Sequence, residues 1–345
     1  YTRTYTLSLH DALPISAEPD GLSIPALEAR VQLRRSTLEL LLKVLDVEDA
    51  VRKIGSRWYS TGAPWSYDAP RYRAVAQARV REQEAMLAYE STEGCRMVFL
   101  ARELDDTTAA PCGKCDRCAG PWYPEQVSER AVQQAQGTLN AVGVEIAPRG
   151  MWPTGLQELV GENAPKGKIP VSERAEPGYA LARLSAVGWG SRVRELLATN
   201  ESGEPLDTPV PQALGQACVR VLAAWDWGET GRPETVLTVP SPVRPTLARS
   251  LGEGLAHVGK LMYLGEAELA AEPRFFGGNS VFRCADVMRS YQIPPEVIER
   301  LREHPGPVLL VSDIVDSRWS ITVLAQRLRV SGASAVYPFA LGVTH

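Results

Sequence analysis

The 345 residues contain no G-x-x-x-x-G-K-[ST] loop and no D-E-x-H run. A P-loop motor needs the first to cradle ATP phosphates and an acidic motif to hold Mg²⁺, so the chain as it stands holds no such motor. No apolar run approaches the length of a membrane span, and no membrane partner is expected. Histidine is scarce, at four residues, and His257, His304 and His345 stand alone, without partners for catalysis. Charge of one sign is not in excess either. Lys and Arg number 37 against 41 Asp and Glu, a net charge of −4, so any contact with nucleic acid has to be local. Nothing suggests export. With 44% apolar and 23% charged residues, the composition is that of a cytoplasmic protein with cores for two ordinary domains.

Of six cysteines, four are patterned. Cys112, Cys115 and Cys118 form the run Pro111-Cys-Gly-Lys-Cys-Asp-Arg-Cys118, and Cys95 lies upstream. A C-x2-C-x2-C run places thiolates on two tight turns, and a fourth thiolate completes a tetrahedron around one soft or borderline metal. Four cysteine ligands leave no open position, so such a site holds structure and does no chemistry. Zinc suits the ligands best, with an iron–sulfur cluster the main rival. Half-cystines two residues apart pair poorly, which disfavours disulfides. Cys218 and Cys284 have no partner pattern and read as core residues.

Around these thiols run two helical stretches, RYRAVAQARVREQEAMLAYESTEGC and RMVFLARELDD. At helical period Val75, Met86, Leu87, Val98, Phe99 and Leu104 are expected to line the inner faces of a helix pair, with Cys95 near the start of the second helix. The arrangement closely resembles the zinc-binding module of RecQ-family DNA helicases over about fifty residues, in its helical hairpin, Cys-Arg-x-x-x-Leu, acidic end and Pro-Cys-Gly-x-Cys-Asp-x-Cys.

Residues 6–15, Thr-Leu-Ser-Leu-His-Asp-Ala-Leu-Pro-Ile, read as one translated frame of a widely used sequencing adaptor. A secretory signal fails, because His10, Asp11 and Pro14 interrupt any apolar core. Residues 1–16 are therefore set aside as non-native, and motor domains are expected upstream.

The segment 17–68 carries Leu38, Leu41, Leu42 and Leu45 at helical spacing, continued by Val47, Val51 and Ile54, with Gly55 placed to end that helix. The following Ser-Arg-Trp-Tyr-Ser-Thr-Gly reads as a short hairpin, and the whole looks like a winged-helix element. Residues 28–57 hold seven basic and five acidic side chains. Arg57, Trp58, Tyr59 and Trp65 are the candidates for contact with DNA, by stacking on bases or bracing a phosphate. The alternative is that these aromatics pack the wing on its own helices.

Pro and Gly cluster at 120–124, 146–178 and 201–211, which divides the remainder into a module at 69–120, a helical and basic linker at 121–205, and a domain at 206–345. In the linker a helix is expected over 125–140, and a second in ALARLSAVGWGSRVRELL, with Leu181, Leu184, Val193, Leu196 and Leu197 on one side. Its Lys166, Lys168, Arg174, Arg183, Arg192 and Arg194 form either a solvated face or a phosphate-contacting one.

In 206–345, apolar strands at 235–240, 308–311 and 335–340 alternate with helices at 213–224 and 246–258. That pattern predicts a parallel sheet covered on both faces, with ligands at the carboxyl ends of the strands. The strand–loop–helix from Val308 to Thr322 resembles the diphosphoribose-binding motif of type I phosphoribosyltransferases, and Ser241–Arg244 resembles their pyrophosphate-side loop. The resemblance implies that Asp313 faces ribose hydroxyls, while Asp316, Ser317, Ser320 and Thr322 fall in the phosphate loop. Phosphoribosyl diphosphate or a nucleotide, with Mg²⁺, is the implied ligand. Ser312 replaces the family's first acid and Arg318 its loop glycine.

The expected architecture is thus multidomain, α+β followed by α/β. A winged-helix-like segment, a helical-hairpin zinc module with four cysteine ligands and a parallel-sheet phosphoribosyltransferase-like domain follow one another. That order resembles the C-terminal half of RecQ-like helicases of the actinobacterial kind. It implies a parent protein that uses ATP and Mg²⁺ in its motor domains to unwind DNA 3′ to 5′ in repair or recombination. The rival reading is a stand-alone phosphoribosyltransferase-like enzyme or nucleotide-binding protein with a zinc module.

Overall fold

The computed structural model describes residues 13–121, 123, 126–139, 143–273 and 279–344. The chain forms two units, one of Pro64–Ala135 and one of Leu13–Ala63 with Gln136–His345.

The second unit begins with α1 (Leu13–Ser16), β1 (Leu22–Ser23), α2 (Ile24–Glu28) and α3 (Arg35–Val47). Leu38, Leu41, Leu42 and Leu45 are all buried on one face of α3, as their spacing requires. The helix stops earlier than expected. Asp49 takes a left-handed backbone with φ 55°, and Val51–Ile54 is a strand, β2. Gly55, expected as a helix cap, instead opens the two-residue loop Gly55-Ser56 joining β2 to β3 (Arg57–Ser60), with Ile54 paired to Arg57. Strands β1, β3 and β2 form a small antiparallel sheet in that order. Ile15, inside the stretch read as adaptor, is 1% exposed, while residues 1–12 lie outside the described part.

The Pro64–Ala135 unit contains α4 (Ala69–Ser91), α5 (Arg96–Glu103), α6 (Asp116–Ala119) and the start of α7 (Glu129–Leu139). Asp68 caps α4 by accepting the Arg71 N–H at 3.1 Å. No residue of α4, α5 or α6 is buried. The expected apolar seam forms only in part: Val98 and Phe99 are half-buried, but Val75, Met86, Leu87 and Leu104 are 53%, 63%, 59% and 81% exposed. The helices meet instead through an edge-on contact of Tyr89 with Phe99, ring centres 5.8 Å apart.

From residue 144 the chain builds β4 (Val144–Ile146), α8 (Leu156–Val160), β5 (Gly178–Arg183), α9 (Trp189–Leu196), α10 (Gln212–Ala224), β6 (Thr235–Thr238), α11 (Pro245–Gly259) and β7 (Met262–Glu266). There follow β8 (Glu268–Leu269), α12 (Ser280–Ser290), β9 (Tyr291–Gln292), α13 (Pro295–Glu303), β10 (Val308–Val315), α14 (Trp319–Val330) and β11 (Val336–Val343). The main sheet has the order β4-β5-β11-β10-β6-β7 and is parallel except for edge strand β4. Strands β8 and β9 pair separately. Along β10, Val308 and Leu310 enter one core with Leu324, Leu328 and Leu301, while Leu309 and Val311 enter the other with Leu247 and Leu251. That alternation is the strand period of two, with an apolar layer on each face.

Three expectations are corrected by this architecture. The stretch 121–205 is not a linker, since β4 and β5 belong to the main sheet. Leu181, read as helical, is on β5, an interior strand; a short apolar run flanked by glycine fits either element until its neighbours are known. The segment 17–63 also packs within this unit. Asn279 donates its amide to Glu28 O and, at 2.9 Å, to Val31 O, while its carbonyl caps α12 by accepting from Val281 and Phe282.

Candidate metal centre and ligand cavity

The four patterned cysteines converge. The Sγ atoms of Cys95, Cys112, Cys115 and Cys118 lie within 4.8 Å of one another, close enough to hold one metal ion. Cys115 and Cys95 are 4.0 Å apart, against ~3.8 Å along the edge of a tetrahedron with metal–sulfur bonds of ~2.3 Å. Local structure makes this arrangement. Cys95 is the N-cap of α5 and Cys115 the N-cap of α6, and the left-handed Gly113 (φ 68°) turns the chain between Cys112 and Cys115.

Backbone amides already favour thiolate. Cys112 N–H donates to Cys95 Sγ at 3.3 Å, and Lys114 and Cys115 N–H donate to Cys112 Sγ at 3.4 and 3.3 Å. The bond from Cys112, followed by one at Val98, draws the Cys95 thiol down to about 6. Cys115 is lowered too, chiefly by the Arg96 amide. Cys118 feels a lowering bond from Gly113, but its Cys115 and Cys95 neighbours push it up to about 11. One proton crowded among several thiols is what a bound cation displaces. Cys218 and Cys284 are fully buried, and burial pushes both thiols up to about 12, as inert core residues.

Three of the residues expected to touch DNA are engaged within their own unit. Trp58 is 5% exposed with Lys53 over its ring at 5.9 Å, so it packs the small sheet and does not stack on bases. Arg57 donates to Asp20 O and Gly21 O at 3.1 Å each, fixing the chain ahead of β1. Tyr59 closes against Gly21, where an added Cβ would meet its ring at 2.8 Å. Trp65 falls in the other unit. Hairpin aromatics serve packing as readily as recognition, which is why the sequence did not separate the two.

At the carboxyl end of β10, a cavity of about 180 Å³ is lined by Ser241, Pro242, Asp286, Asp313, Ser317 and Ser320, among others. Burial pushes the Asp313 carboxyl above its ordinary range, partly offset by hydrogen bonds from Ser241 and the Ile314 amide, the latter at 2.7 Å. Asp316 is occupied: it ion-pairs with Arg283 and accepts from Thr344 Oγ1 at 2.8 Å. It is thus poorly placed to serve a divalent cation. Thr322 is buried and donates to Arg318 O at 2.7 Å, within its own helix turn and away from the cavity. Ser312, at the position of the missing acid, is 2% exposed, and its hydroxyl donates to Ile314 O at 3.2 Å. Arg318 adopts a left-handed backbone with φ 65°, the conformation that glycine supplies most readily.

Among the described residues, no helix is long and apolar enough to cross a membrane. No family model matches the chain, and none of the curated proteins does.

Proposed function

We propose that this chain is the C-terminal part of a RecQ-like 3′–5′ DNA helicase, in which Cys95, Cys112, Cys115 and Cys118 hold a structural zinc ion. One observation carries the reading: the four thiols converge beside α4, α5 and α6, none of which buries a residue, so an ion is the natural organiser of that fold. Four thiolates with no fifth donor suit zinc in a closed site. The role is mechanical, to hold the helical hairpin and neighbouring surfaces in register for DNA, while ATP and Mg²⁺ act in motor domains outside this sequence. The test is an independent long read across the locus, translated upstream of residue 17. An in-frame P-loop and D-E-x-H motif supports the helicase, and a start codon beside Ala17 with no motor upstream removes it. Metal analysis of the purified chain tests the ion: one zinc per chain is expected, and stoichiometric iron with sulfide overturns it.

A second reading rests on Asp313 facing Ser241 in the strand-end cavity. In it, the α/β domain binds phosphoribosyl diphosphate or a nucleotide, with Asp313 toward ribose hydroxyls and Ser317 and Ser320 toward phosphate. The absence of a second acid and the engagement of Asp316 favour binding without turnover. Calorimetry with phosphoribosyl diphosphate and Mg²⁺ decides it: heat that Asp313→Asn abolishes supports the reading, and no heat for the unaltered protein removes it.

A further inference from the structure

A second cavity, of about 440 Å³, opens on the other side of β10, beyond the ends of β5 and β11. Five arginines line it: Arg34, Arg149, Arg183, Arg283 and Arg318, against two carboxylates, Glu145 and Asp316, an excess of three positive charges. In a chain of net charge −4 that concentration is local and unusual. It is assembled from distant parts of the sequence, since Arg34 precedes α3, Arg149 follows β4, Arg183 ends β5 and Arg318 precedes α14.

The cluster is built and oriented. Arg149 donates Nε–H to Ser317 O at 2.9 Å, and its guanidinium lies 4.1 Å from the centre of the Trp319 ring. Trp319 is itself fixed, stacked on Trp152 and donating to Ser280 Oγ at 3.0 Å. Arg318 donates to Ala147 O at 2.9 Å. Arg283 is neutralised by Asp316, but Arg34, Arg149, Arg183 and Arg318 have no ion-pair partner among the described residues. Burial, then the nearby Arg318 and Arg283 charges, draw Arg149 down to about 10. With Asp316 engaged by Arg283, Glu145 is the other carboxylate in the lining, and the half-buried Arg149 and Arg318 are unfavourable together unless an anion completes the site.

The rest of the lining narrows the anion. Ile146, Ala147, Val315 and Val343 give an apolar floor, and Glu145 offers an acceptor for hydroxyl or amino groups. The twelve-residue helix α14 starts directly after the loop Ser317-Arg318, adding its positive end. An apolar floor beside forked guanidiniums suits a base and its phosphates together. The volume accommodates one nucleotide, and the charge excess matches several phosphates on one group. A nucleic-acid strand spreads one charge per nucleotide and needs a continuing groove.

We propose that the cavity between β4, β5, β10 and β11 binds the triphosphate of a nucleoside triphosphate, gripped by Arg34, Arg149, Arg183 and Arg318. The site shares Arg283, Asp316 and Ser317 with the strand-end cavity of Asp313, but its four gripping arginines do not line that cavity, and it does not depend on the metal centre.

Calorimetry of the whole chain at fixed ionic strength, with ATP, tripolyphosphate, AMP and a 5′-hydroxyl single-stranded oligonucleotide as probes, tests it. ATP is expected to bind once per chain, with AMP weaker by roughly tenfold or more. Tripolyphosphate binding as tightly as ATP assigns the grip to phosphate alone, and weaker binding adds a role for the apolar floor. Because Arg149 also packs on Trp319, the diagnostic variants are Arg34→Ala and Arg183→Ala, both exposed side chains. Each is expected to weaken ATP by roughly tenfold with unchanged melting temperature, whereas Arg249→Ala, which pairs with Glu266, leaves it unaltered. Absence of heat with ATP and tripolyphosphate overturns the proposal. So does affinity that survives the Arg34→Ala, Arg183→Ala double variant, or displacement of ATP by the oligonucleotide.

Discussion

Arg96 grips Asp116 with both ends of its guanidinium, Nε 2.8 Å from Oδ1 and Nη2 3.0 Å from Oδ2. The same side chain donates to Tyr89 O at 2.6 Å and lies over the Tyr89 ring at 5.3 Å. One arginine beside Cys95 thereby ties the end of α4 to the turn carrying Cys115. Only a planar fork makes this contact, so lysine is no substitute. Groups that orient metal ligands typically contribute about ten- to a hundredfold to metal affinity. Arg96→Lys is therefore expected to speed metal release to a chromogenic chelator by about tenfold or more. An unchanged release rate would show the bridge to be incidental.

Metal removal should have a regional effect. With no buried residue in α4, α5 or α6, the Pro64–Ala135 unit has little hydrophobic stabilisation to fall back on. The two apolar layers of the main sheet do not involve the ion. Chelation, or Cys115→Ser, should open residues 64–135 to protease while 144–344 stays protected. Mass spectrometry of the fragments reads this directly, and an uncut 64–135 region after verified metal loss would contradict it.

How much of this was legible in the sequence depends on how local the signal was. Cysteine spacing is set within two tight turns, so the convergence of Cys95, Cys112, Cys115 and Cys118 could be read directly. Buried strands declare themselves too, β10 by the apolar run Val308–Val311 and β6 by its β-branched Thr-Val-Leu-Thr. The run at 178–183 misled because Leu181 and Leu184 also fit a helical period, and only pairing with β11 decides for a strand. Trp58 misled because burial and base stacking select the same side chain. The arginine cavity was invisible, since its five arginines come from three loops, the end of β5 and helix α12. Arg183 was noted only as one basic residue of a presumed linker.

Asp313 should make the α/β domain sensitive to pH. Its folded-state pKa is raised, so the fold prefers the protonated acid. That contribution is fully present below the unfolded value and is lost as pH rises through the raised folded one. Asp313→Asn stays neutral throughout and keeps an acceptor for the Ile314 amide. The variant is expected to melt higher than the parent at pH 7, by about 2–4 °C for ~1 kcal/mol in a domain of this size, and to lose that advantage in acid. Melting curves across the acid range give the answer; a lower melting temperature at pH 7 would mean the ionised carboxylate is better accommodated than its surroundings suggest.

Arg318 offers the sharpest separation of backbone from side chain. At φ 65° it holds a conformation that costs an ordinary residue about 1–2 kcal/mol and a β-branched one more. Its guanidinium returns part of this through the bond to Ala147 O, typically worth about 1 kcal/mol. Arg318→Gly removes both the strain and the bond, so stability should stay within about 1 kcal/mol of the parent. Arg318→Val loses the bond and adds strain, so it should destabilise by about 2 kcal/mol or more. Urea unfolding of the two variants compares them on one scale. If valine is tolerated as well as glycine, the loop before α14 is free to leave the left-handed region. Its fixed geometry, on which the placement of Arg149 against Ser317 depends, would then be lost as an argument.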